Sequence, residues 1–204
     1  MQVIEVPTQI NFSPLSRRYT LEEFWALPER EDHARYELIG GYLFMVPPPK
    51  PPHDDIGARM TRALMKFVIE NDLEGDVYHP QAAIWKRARG STYLEPDMMY
   101  VSRALRAEMG GGDKRYSAEI VFEYLSPSTN LYNRTTKADT YLALGVQELW
   151  LVDAITATVE VRHANHQSET PVWEICIYRR RQHAKSRVLA GWEVSVSELF
   201  QGLI

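Results

Sequence analysis

Ile120-Val121-Phe122-Glu123-Tyr124-Leu125, followed by Ser126-Pro127-Ser128-Thr129 and a helical stretch carrying Lys137, is the segment that decides the fold. Five of the first six residues are apolar or aromatic, the pattern of a strand buried on both faces. A carboxylate inside such a strand is costly unless a basic side chain, a metal ion or a retained proton offsets it. The Ser-Pro-Ser-Thr cluster closes the strand and opens a helix predicted to reach about Leu144, with Gly145 in the usual C-terminal position. Positions 137, 141 and 144 share one face of that helix. Lys137 therefore falls on or beside the packed side with Tyr141 and Leu144, where a solvated lysine is not expected.

Upstream, Thr20 and Glu23 form a capping box for a short helix carrying Leu21, Phe24 and Trp25. Residues 35–39 and 42–46 read as a hairpin around Gly40-Gly41. The Pro-rich stretch 47–52 is a stiff extended connector to His53, Asp54 and Asp55, a helix start. Ile56, Met60, Ala63, Leu64, Phe67 and Val68 then recur at helical spacing to about Asn71. Residues 76–87, 93–101 and 119–125 are predicted as three strands, with the glycine run 110–112 as a loop. Strands are expected at 148–152 and 156–162, with weaker signals at 172–178 and 188–196. This order predicts a mixed α/β chain of the α+β type, with a central sheet flanked by helices.

Bulk properties set limits. A length of 204 residues fits one domain, and 45% hydrophobic content supports a sizeable core. We divide it into an N-terminal helix and hairpin extension (1–52), a core (53–165) and C-terminal strands (166–204). The net charge of -4 does not advertise nucleic-acid binding, so a protein acting on nucleic acid needs local basic patches. The single cysteine, Cys176, excludes an internal disulfide framework and fits a reducing cytoplasm. No apolar run approaches the roughly 20 residues of a membrane span, and residues 1–16 lack the basic-then-apolar order of a signal peptide.

Asp97, in Glu95-Pro96-Asp97-Met98-Met99-Tyr100-Val101, lies at the start of an apolar strand. Two acids and a lysine in apolar surroundings suit a hard divalent cation with a positive group beside it. The pattern reads equally well as a buried Glu123–Lys137 salt bridge without catalysis. A carboxylate-pair hydrolase such as a glycosidase is a third, weaker reading. Ser126, Ser128 and Thr129 are better explained by helix capping than as nucleophiles, since no histidine–acid pair is placed to activate them. His163 and His166 read as a solvated strand end rather than a metal pair. Arg179-Arg180-Arg181 reads as a solvated run.

Several segments, in order, resemble the Uma-type restriction endonucleases, a bacterial group within the PD-(D/E)XK, or restriction-endonuclease-like, superfamily. They are Tyr19 through Phe24, Arg35-Tyr36-Glu37-Leu38-Ile39-Gly40-Gly41, Glu95-Pro96-Asp97, Phe122 through Thr129, Lys137 through Tyr141, Gly145 through Trp150, Val152-Asp153, and the closing 191–200. The Glu-x-Leu-Ser-Pro-Ser-Thr string with a lysine on the next helix is the specific part. The resemblance implies an αβββαβ core and a Mg²⁺-dependent endonuclease, with Mn²⁺ as a substitute, acting on nucleic acid, chiefly DNA. It implies Asp97 and Glu123 as metal ligands, joined by the Tyr124 backbone carbonyl, with Lys137 as the catalytic lysine. Glu37 completes the site, although its strand pattern alone suggests a surface cross-strand ion pair. His53 is a candidate substrate contact. Double-strand cleavage commonly uses two sites, so a homodimer fits this reading. The usual lysine position, two residues after the second acid, is Leu125 here, so the lysine has moved to the helix. Asn133 and Thr136 stand where family members often carry Asp and Glu, so any supporting role for acids at those two positions is absent here. The alternative is a catalytically silent binding module for nucleic acid or protein, built on a structural acid–lysine network.

Overall fold

In a computed structural model of the chain, residues 17–29, 31, 33–80, 82–87, 91–110, 115–167 and 169–203 are described. The readings of residues 1–16 and of Gly111-Gly112 lie outside them. A six-stranded sheet dominates. Its strands are β3 (Gly75–Tyr78), β6 (Met98–Ser102), β7 (Ile120–Leu125), β8 (Glu148–Asp153), β9 (Thr158–Asn165) and β10 (Val172–Tyr178), in spatial order β10-β9-β8-β7-β6-β3. β7 and β8 are parallel, whereas β3–β6, β6–β7, β8–β9 and β9–β10 are antiparallel. Both β7 and β8 are buried along their whole length.

Successive strand side chains point to opposite faces, so each face has its own core. One face presents Met98, Tyr100, Phe122, Tyr124, Trp150 and Val152 to helix α2 (His53–Glu70), which follows the short α1 (Leu21–Trp25) and precedes α3 (Arg103–Glu108), and whose Ile56, Met60, Leu64 and Val68 form the buried stripe read from the sequence. Burying each such large apolar side chain stabilises the fold by roughly 1.5–3 kcal/mol. The other face presents Met99, Val101, Val121, Leu125, Leu149 and Leu151 to Ala138 and Tyr141, on the helical run that connects β7 to β8. Glu123 shares this second face by strand parity. A helix, three antiparallel strands, a helix and a parallel strand give the expected αβββαβ core, with further strands added.

Two expected strands break in the middle. Residues 76–87 split into β3 and β4 (Ile84–Lys86), and residues 93–101 into β5 (Thr92–Leu94) and β6. β4 and β5 join the N-terminal hairpin, β1 (Arg35–Ile39) and β2 (Tyr42–Val46), in a second sheet of order β2-β1-β5-β4. A proline lies in each break, Pro80 and Pro96; lacking an N–H, it cannot continue a ladder. The hairpin turn, Gly40-Gly41, has φ +59° and +86°, the pair of positive values a two-residue turn of this type requires. Toward the C-terminus the expected strand 188–196 shrinks to β12 (Glu193–Ser195), paired with an unforeseen β11 (His183–Lys185).

The helix after β7 is also more elaborate than expected. It runs as α4 (Asn130–Tyr132), a π-helical turn (Asn133–Lys137) and α5 (Ala138–Ala143). Thr129 does not cap it with its side chain. Instead its hydroxyl meets the Ser126 hydroxyl at 2.9 Å, and Ser126 Oγ lies 3.1 Å from Ser128 Oγ, a local hydroxyl cluster rather than the expected cap. His163 is a second correction. It sits inside β9, buried, with Nδ1 3.4 Å from Glu148, because β9 extends to Asn165; His166 alone is exposed. No described helix is long and apolar enough to cross a membrane.

Candidate active site

The break at Pro96 carries Asp97 to the seam between the two sheets. The Tyr124 N–H donates to Asp97 Oδ2 at 2.8 Å, which ties the corner to β7. His53, the first residue of α2, places Nε2 3.2 Å from the same carboxylate, and Arg35 of β1 reaches it at 3.7 Å. Burial disfavours the Asp97 charge. The His53 hydrogen bond and charge, Lys137 and the Tyr124 N–H more than offset it and hold the carboxyl below its ordinary range. In return, and against its own burial, the His53 pKa is raised by Asp97 and Asp54.

Lys137 is the centre of a second, drier cluster. It is 1% exposed, with Nζ 2.8 Å from Glu123 and 2.9 Å from Glu37. Both acids are themselves buried. Burial opposes the ammonium charge, but Glu123, Glu37 and Asp97 together raise its pKa, so it stays protonated. Glu123 also accepts from Tyr141 at 2.6 Å and from Asn133 at 3.4 Å. Despite these partners, burial together with the neighbouring charges of Asp97 and Glu37 pushes its pKa up to about 7. The cluster is thus over-supplied with negative charge.

Glu37 is not the surface residue its strand pattern suggests. Its Oε1 takes Lys137 and the Glu95 N–H at 3.0 Å, and its Oε2 takes the Tyr132 hydroxyl at 2.8 Å. Its partner lies 100 residues away, beyond any local pattern. The π turn matters for the same geometry, since Asn133 and Lys137, its first and last residues, both reach Glu123. Between them Arg134 points elsewhere, to Glu160 and Asp153, and Arg162 donates to the Arg134 carbonyl at 2.8 Å. Such turns recur at functional sites.

The structure therefore brings together all the residues singled out from the sequence: Asp97, Glu123, Tyr124, Lys137, Glu37 and His53. Sequence reasoning missed Arg35, Glu95, Tyr132, Tyr141 and Asn133. Arg35 and Glu95 stood inside quoted motifs, and Asn133 was set aside because it is not an acid; as an amide it donates to Glu123, which an aspartate would repel.

Four carboxyl groups, Glu37, Glu95, Asp97 and Glu123, face two permanent cations, Arg35 and Lys137. With all four ionised and His53 neutral, two negative charges would stand uncompensated, an excess that the rise of Glu123 to about 7 partly relieves. Asp97, Glu123, Lys137 and His53 also line a small cavity of about 30 Å³, room for one or two water-sized groups. Hard oxygen donors, a charge deficit of this sign and a small cavity fit a divalent cation. Among the described residues no group of three or more His, Cys, Asp and Glu is arranged to hold a metal ion. A two-carboxylate site leaves the remaining ligands to backbone oxygen and water, as Mg²⁺ commonly does.

Comparison with known proteins agrees with this architecture. A family model described as "Putative restriction endonuclease" (Uma2) matches residues 21–203. Among solved structures, a crystal structure described as a "putative nuclease belonging to DUF820" from Anabaena variabilis ATCC 29413 is similar, with a TM-score of 0.71 at 23% identity, covering 91% of this chain and 99% of that one. A search of curated proteins found no match.

Proposed function

The chain belongs to the Uma2 family of restriction-endonuclease type, and on that premise we propose that it is a metal-dependent endonuclease hydrolysing phosphodiester bonds of nucleic acid, principally DNA. The observation that carries this reading is the carboxylate excess at the seam: two buried acids from different elements, Asp97 and Glu123, beside a buried lysine. Asp97 and Glu123 would hold one or two Mg²⁺ ions, or Mn²⁺ in their place, with the Tyr124 carbonyl as a further ligand. Such an ion lowers the pKa of its bound water and stabilises the charge of a transferring phosphoryl group.

The chain's own residues do the rest. Lys137 keeps a positive charge beside Glu123, where negative charge develops in phosphoryl transfer. Glu37, satisfied on both oxygens by protein donors, acts through Lys137 and positions it. His53 orients Asp97 and, with Arg35, offers donors to an incoming phosphate.

The full engagement of Glu123 by Lys137, Tyr141 and Asn133 favours a second reading, a silent binding module held by an acid–lysine network. Calorimetric titration with Mn²⁺ separates the two. Uptake by the parent, lost in Asp97→Ala together with Mg²⁺-dependent cleavage of DNA while the fold survives, supports the nuclease. No uptake by the parent, or parent-like cleavage by Asp97→Ala and Glu123→Ala, overturns it.

A further inference from the structure

A second cavity, of about 340 Å³, adjoins the first and shares Arg35, His53, Asp97 and Tyr124 with it. It is lined further by the exposed acid Asp54, by Ala58 and Thr61 of α2 and by Pro80, from the break between the two sheets. Any polymer whose scissile bond sits between Asp97 and Glu123 must continue away from them, and this cavity opens directly beside Asp97.

Its lining suits a strand. Arg35 is part exposed, its Nε is buried without a hydrogen bond, and its acidic neighbours stand 3.5 Å and 3.7 Å away. That Nε faces Glu95 from within the protein, so it is the terminal N–H groups of the planar guanidinium that stand to meet a phosphate from the cavity. Small side chains on α2 leave the space open. Its volume lies at the lower end of small-molecule pockets, room for one nucleoside and not for a base pair.

We propose that this cavity seats a single unpaired nucleotide flanking the scissile bond, its phosphate held by Arg35, so that the preferred substrate is single-stranded or carries a displaced nucleotide at the cut. The inference rests on the nuclease reading above and deepens it. A base held in a duplex must first be unpaired and unstacked to enter, and that cost separates the two substrates.

Fluorescence anisotropy with labelled DNA of one sequence, in Ca²⁺ to hold turnover, tests this. Single strand, fully paired duplex and duplex with one unpaired nucleotide are compared. The parent is expected to bind the first and third about tenfold or more tighter than the paired duplex. Ala58→Trp fills the cavity from an exposed helix position; it is expected to abolish that preference with an unchanged melting temperature. Arg35→Gln is expected to weaken binding of all three DNAs about tenfold while Mn²⁺ uptake persists. Equal binding of paired and unpaired DNA by the parent, or an undiminished preference in Ala58→Trp, overturns the proposal while leaving the nuclease reading in place. Binding of no DNA at all overturns both.

Discussion

Replacing Lys137 with methionine tests the dry cluster directly. The lysine is 1% exposed and contacts two carboxylates, at 2.8 Å and 2.9 Å, that are almost as inaccessible. Methionine roughly keeps the volume and removes the charge. Glu37 and Glu123 then lose the cation they share. Breaking a buried pair this way costs about 3–5 kcal/mol. For a chain of this size each kcal/mol lowers the melting temperature by about 2–4 °C, so the drop is on the order of 6–20 °C at neutral pH. The loss also acquires a pH signature. Glu123 already titrates near 7 beside the lysine, and without it the pKa rises further. A carboxyl whose folded pKa lies above its unfolded value contributes stability below the unfolded value, and that contribution is lost as pH rises through the folded one. The variant's deficit relative to the parent should therefore be smallest near pH 5 and grow toward pH 8. The ammonium itself stays charged over this window. Thermal unfolding followed by circular dichroism, in EDTA between pH 5 and 8.5, measures it. In Lys137→Met/Glu123→Gln much of the deficit should return. A variant within about 1 kcal/mol of the parent, well short of the buried-pair cost, or one whose deficit ignores pH, would show that the lysine is not held between two buried acids.

Other consequences can be measured as simply. His163, pushed down to about 4 chiefly by burial and then by Arg187, is neutral in the fold, so it destabilises the protein as pH falls from about 6.5 toward 4. The effect is on the order of 3 kcal/mol, and a His163→Gln protein that lost stability as steeply over that interval would contradict it. Arg162→Met frees the Arg134 carbonyl and should lower hydrogen-exchange protection of the π-turn amides, residues 133–137; unchanged protection there would mean that Arg162 does not hold the turn. Trp192, tilted against Trp150 at 4.8 Å and edge-on to Phe122 at 5.8 Å, should cost about 3–5 kcal/mol on truncation to alanine, read by denaturant unfolding, and a cost below 1 kcal/mol would show that the cluster adapts.

The sequence announced what is periodic or compositionally conspicuous. The apolar run around Glu123, the stripe of α2 and the helix phase of Lys137 each follow from local spacing, and each reappears in the structure. What it hid depends on distant partners or on single backbone atoms. Pro80 and Pro96 interrupt stretches whose apolar content reads as continuous, because a missing N–H leaves no trace in hydropathy. Glu37 alternates like a surface residue, yet its strand is covered by a helix about 100 residues downstream. The π turn inserts its irregularity where side-chain spacing still looks helical. Tyr141 read as a packing residue and Tyr132 carried no signal of its own; their hydroxyls meet Glu123 and Glu37 only in the folded chain.

The seam at Glu95-Pro96-Asp97 has a consequence for biosynthesis. Glu37 comes from the second sheet, Asp97 from the corner, Glu123 from the first sheet and Lys137 from the turn beyond it. A growing chain displays Glu37 and Asp97 well before it displays the lysine that gathers Glu37 and Glu123, and β8 is translated later still. Premature termination or a proteolytic nick ahead of residue 137 therefore leaves a fragment unable to assemble the centre.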